Sequence, residues 1–255
     1  MTRSGKVAWL VGLAAIVALS GSAVAKNNEA SPRMARSVQS VPPNPERLAQ
    51  MQHHFTQVSL IHEAVIRGDL PAVRDPAKRL AEMDAPRDVP AASAPYVSAI
   101  RQAGRRAAEA KDLASAASAI ASMLTSCGDC HRTAGTMPAP ATPVRPNVGG
   151  VVGHMLEHQR AADEMLQGLI VPSASQWRQG AERLQTAALQ PDKLPRDSKL
   201  TPQVLKAEDR VHRLADQATA AADTNARAAT YAQILTTCAE CHGLHGVIWG
   251  PRKGP

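Results

Sequence analysis

All four cysteines of this 255-residue chain fall in two pentapeptides, Cys127-Gly-Asp-Cys130-His131 and Cys238-Ala-Glu-Cys241-His242. In C-x-x-C-H the two thiols lie about one helical turn apart. Both can therefore add to the vinyl groups of one haem while the next imidazole reaches its iron. The spacing predicts two covalent haem c groups, held through Cys127, Cys130, Cys238 and Cys241, with His131 and His242 as iron ligands. A zinc ribbon made from the two C-x-x-C pairs would leave both histidines without a role. A thioredoxin-like redox pair would need a βαβ setting, which the sequence does not offer.

Those residues must be carried on helices. Asn44-Pro45-Glu46 reads as a helix start, and Met51, His54, Phe55, Val58, Ile61, His62 and Val65 then recur at three- and four-residue steps until Gly68. A second helix is predicted over Leu70 to Met83 and a third from about Pro95. The fourth carries Leu113, Ala117, Ile120, Leu124, Cys127 and His131 along one seam. After a proline-rich stretch the pattern returns. His154 corresponds to His54 at an offset of 100, Ala181-Glu-Arg-Leu184 to Ala77-Lys-Arg-Leu80 at 104, and the second pentapeptide to the first at 111. The expected fold is all-α, two tandem four-helix bundles, each with one covalently bound haem c.

In an up-down-up-down bundle the start of the first helix lies beside the end of the fourth. This brings His54 to the haem at Cys127 and His154 to the haem at Cys238, as candidate distal iron ligands. Met51, Met155 and His158 compete for those positions. His53, His62, His212 and His245 are expected at the surface or behind the ligands, and Arg79 and Arg183 are candidates to meet haem propionates.

Each half resembles a cytochrome c′ type four-helix bundle with its C-x-x-C-H near the end of the last helix. In such relatives the sixth iron position is open or filled by a methionine of the first helix. Here a histidine is offered instead. Imidazole on both faces gives low-spin, six-coordinate iron suited to electron transfer.

The remaining sequence fits an exported protein. Residues 1–25 read as a signal peptide, with Arg3 and Lys6, an uncharged run from Val7 and an Ala23-Val24-Ala25 cleavage site. The domain expectation continues with a flexible tether over 26–43, haem domain 1 over 44–131, a proline-rich linker over 132–150, haem domain 2 over 151–246 and a tail over 247–255. Only 2% of residues are aromatic, so an apolar macrocycle would supply bulk that the side chains lack. Without the leader the chain carries 27 basic and 22 acidic side chains, scattered along its length. Four propionates would bring that balance to about +1, so the charge does not call for nucleic acid. The expected function is a periplasmic dihaem cytochrome c passing single electrons between redox partner proteins, or serving a membrane respiratory complex. It would be a carrier and not an enzyme, touching the membrane only if the leader is retained. The alternatives are a gas-binding protein with an open iron site and a dihaem oxidoreductase or peroxidase.

Overall fold

The computed structural model describes residues 44–86, 88–138, 148–187 and 201–245. The expected signal peptide, tether and tail, and most of the proline-rich linker, lie outside these residues. Among the described residues the chain is all-α, without strands, and no helix is long and apolar enough to cross a membrane.

Helix starts follow local side-chain chemistry. α1 (Pro45–Ile66) opens with proline at its first position and the Asn44 side chain accepting from the Glu46 N–H at 2.9 Å. Asp69 caps α2 (Leu70–Ala81), and Pro95 sits in the first turn of α3 (Ala94–Ala108), which follows a 3-10 turn at Ala91–Ser93. Asp112 accepts from the Ser115 N–H at 2.7 Å to start α4 (Leu113–Ala134). Gly135 ends α4 in the left-handed conformation at φ 66°, where a side chain would be strained. α5 (Gly150–Ile170) precedes α6 (Ala174–Thr186), capped by Ser173, and α7 (Pro202–Ala220), capped by Thr201. Asp223 accepts from the Ala226 N–H at the start of α8 (Thr224–His245).

Each helix packs on its neighbour in sequence, and α4 also lies along α8. The buried side chains of both helix quartets form one apolar cluster, in which Trp177 and Tyr231 are the largest fully buried groups. Alanine and glycine let the backbones come close: a Cβ on Gly104 would sit 2.8 Å from the Ala81 nitrogen across the α2–α3 contact.

Burial corrects the register of the repeat. In α1 the buried positions are Gln57, Val58, Ile61, His62, Ala64, Val65 and Ile66. Every one has a buried counterpart in α5 at an offset of 104, from Ala161 to Ile170 (170 − 66 = 104). The offset of 100 expected for this helix is therefore one turn short. His54 corresponds to His158 and Met51 to Met155, while His154 stands one turn earlier. In the later helices the offset is 111: Ile100, Ala103, Gly104 and Ala107 of α3 correspond to the buried Val211, Leu214, Ala215 and Ala218 of α7. One insertion between the second and third helices of the repeat accounts for the change.

Candidate functional site

The first pentapeptide ends α4 beside a cleft of about 300 Å³ whose other walls come from the start of α1, from α2 and α3, and from the end of α5. Cys127, Cys130 and His131 face it together with Met51, His54 and Phe55, and apolar groups such as Val58, Leu80, Val97 and Ile100 complete the lining. The expected meeting of His54 with the first motif is thus observed, and Met51 shares the same wall. Burial, with a smaller contribution from His53, lowers the His54 pKa from its usual value, which favours the neutral imidazole that can bind a metal.

Each motif histidine is anchored by the other half of the chain. His131 Nδ1 lies 3.0 Å from the Ile170 carbonyl at the end of α5, and His242 Nδ1 lies 2.7 Å from the Ile66 carbonyl at the end of α1. Only a protonated Nδ1 can donate to a carbonyl oxygen. The bond therefore fixes the ring and its tautomer, and at His131 it leaves Nε2 as the ring nitrogen with a lone pair. Metal-ligating histidines are commonly oriented in this way. The close approach behind it depends on Gly128, where a Cβ would come 2.3 Å from the Leu169 carbonyl. Gly128→Ala is expected to push α4 from α5 and cost about 1–3 kcal/mol of stability, read as a lowered denaturation midpoint in urea.

The second site is furnished differently. Glu208 of α7, at an offset of 111, takes the place of Val97 in the first cleft, and three imidazoles surround its Oε1. His154 Nε2 is 3.1 Å away, His212 Nε2 3.0 Å and His158 Nε2 3.8 Å. The His154 and His158 rings stand 4.1 Å apart, both turned toward the Glu208 carboxylate. Burial opposes ionisation of Glu208, but hydrogen bonds and charge from these imidazoles hold its carboxyl well below the usual range. The same contact raises the His212 pKa, with burial opposing it. Burial pushes His158 down to about 4.

The thiols are not activated nucleophiles. Burial, then the neighbouring cysteine, pushes Cys127 and Cys238 up to about 12, and burial raises Cys130 and Cys241 as well. All four cysteines are free. A redox C-x-x-C pair would need a stabilised thiolate, the opposite of this setting. Among the described residues the one group of three or more side chains close enough to share a metal ion is His154, His158 and Glu208, so the four thiols do not converge into a zinc ribbon.

The donor set fits haem on two observations: an apolar cleft bordered by both thiols of its motif, and motif imidazoles oriented through Nδ1. Cys127, Cys130 and His131 would hold one group, and Cys238, Cys241 and His242 the other. Other expectations for site residues are redirected. Arg183 is paired with Glu164 and Glu157, and Arg79 donates to Gln57, so both guanidinium groups are already engaged. His62, expected at the surface or behind the ligands, is fully buried against Tyr231. Glu208 was not expected in the site at all. Its signal was an acid on the Val204, Val211, Ala215 stripe of α7, where an unpaired charge would be costly. No protein-family model, curated protein or solved structure matches the chain.

Proposed function

We propose that the chain is an exported dihaem cytochrome c, built from two tandem four-helix haem modules, that passes single electrons between redox partner proteins in the periplasm. The observation that carries the reading is the reciprocal anchoring of His131 on Ile170 and of His242 on Ile66. It gives both motifs the oriented imidazole that an axial ligand needs, and it couples the two modules at the same points. Bound haem supplies reversible one-electron iron chemistry, and the chain's residues set its position, its axial ligands and its exclusion from water.

At the first site His54 would supply the second imidazole to a bound haem. At the second, His154 and His158 both present buried imidazoles, with His158 at the place of His54. Neutral imidazole on both faces leaves no exchangeable position, so reduced protein is expected to be inert to carbon monoxide at both irons. Low-temperature electron paramagnetic resonance of the oxidised protein is expected to show two low-spin signals. His54→Ala should convert one of them to high spin and open that iron to carbon monoxide. Rapid carbon monoxide binding at both haems of the unsubstituted protein would instead establish the open-site reading.

The unequal second site favours one other reading, a dihaem oxidoreductase in which that haem is catalytic. Peroxide turnover that is lost on Glu208→Gln with haem content intact would select it.

A further inference from the structure

The two sites share a scaffold but differ in charge at one equivalent position. At the first, residue 97 is valine and borders the cleft. At the second, the equivalent residue is Glu208, whose Oε1 lies 3.1 Å from His154 Nε2 and 3.8 Å from His158 Nε2, the two imidazoles offered to the second iron, and whose charge also acts on Cys238 and Cys241. The shifts of Cys127 and Cys130 arise from burial, from the cysteine pair itself and from Ser93, with no carboxylate contributing. The difference therefore lies at the imidazoles beside the second motif.

We infer that Glu208 makes the two haem sites unequal, its carboxylate at the place of Val97 holding the second haem at the lower reduction potential. The inference rests on the dihaem reading. A fixed anion favours ferric over ferrous iron because the oxidised centre carries one more positive charge. In a partly buried site, with an effective dielectric near 20, such a charge changes the equilibrium more than tenfold out to about 10 Å. In the singly reduced protein the electron consequently sits at the first site: the iron at Cys127–His131 is ferrous and the one at Cys238–His242 ferric. Glu208 acts through the field it imposes and through the imidazoles it holds, and is a positioning residue.

The test is a mediated spectroelectrochemical titration of the purified holoprotein. Two one-electron waves are expected, separated by at least a tenfold difference in equilibrium constant, 59 mV for one electron. Glu208→Val should raise the lower wave toward the upper, and Glu208→Gln, which keeps the shape of the side chain, should move the same wave in the same direction. The reciprocal Val97→Glu should lower the upper wave. Assignment comes from the protein lacking Cys127 and Cys130, which retains only the lower wave. Coincident waves in the unsubstituted protein, or an unmoved lower wave in both Glu208 variants with haem content intact, would overturn the inference. Protein purified without covalent haem would fail earlier, before any titration, and would refute the dihaem reading itself.

Discussion

Alanine at both Cys127 and Cys130 is expected to leave a folded protein that carries one covalent haem instead of two, with about half the haem absorbance per chain. Cys127 and Cys130 lie within one helical turn of α4, and the first cleft is lined by α1 to α4 with only the end of α5 added. Nothing in that lining requires the second haem. The paired variant at Cys238 and Cys241 should lose the other group. Stability should fall in both. Without a macrocycle the first cleft would expose Val58, Leu80, Val97 and Ile100. Applied to 300 Å³, the cavity scale of about 24 cal/mol per Å³ gives a ceiling of about 7 kcal/mol, reduced because the cleft opens to solvent. Intact-mass measurement of the exported protein checks the prediction. A Cys127, Cys130 double variant that still carried two haem masses, or a folded wild type that carried none, would remove the basis of the proposed function.

Much of this arrangement could be read from residue order because local and periodic signals agree. The proline and Asn44 cap at the start of α1, the positive φ of Gly68 after its end and the Leu113-to-His131 seam of α4 all depend on neighbours within a few residues. The register of the repeat does not. A slip of four residues turns a helix by only about 40°, so the same stripe remains apolar, and offsets of 100 and 104 satisfy one periodicity equally well. Paired histidines at 154 and 158 then make the wrong offset attractive, and only the buried positions from Gln57 to Ile66 against Ala161 to Ile170 separate the two. The anchoring of each motif histidine by the opposite quartet was equally inaccessible, since it arises where α4 meets α5 and α8 meets α1. The neighbours of His62 could have given it away. It lies between Ile61 and Val65 on the inward stripe, and an imidazole there needs a partner as buried as itself.

That partner makes His62 the source of the largest expected pH effect. Its Nε2 lies 2.7 Å from the Tyr231 hydroxyl, which donates its own hydrogen to the Ala162 carbonyl at 2.8 Å. His62 must then donate through Nε2–H, leaving an unprotonated Nδ1 3.9 Å from the Asp163 carboxyl. Burial pushes the imidazole down to about 4 from an ordinary value of 6.5. Below pH 6.5 the unfolded chain takes up a proton that the folded chain refuses until about pH 4, so this group's contribution to stability falls as the solution is acidified through that window. The full loss is about 3 kcal/mol. Asp163 works in the opposite sense. Burial raises its carboxyl to about 6, so the folded state binds a proton first and gains stability as pH falls toward the ordinary carboxyl range. The wild-type profile should therefore be flatter than either group alone would make it. His62→Gln keeps an N–H for the tyrosine but has nothing to titrate, and Asp163 and all other groups are common to both proteins. The variant is expected to be less stable than wild type by about 1 kcal/mol at pH 7, from imperfect hydrogen-bond geometry. By pH 4 the order should reverse, with the variant about 2 kcal/mol more stable. Urea denaturation of the two holoproteins across this range measures the difference directly, and parallel profiles would show that the His62 imidazole takes up its proton in the folded state as readily as in the unfolded chain.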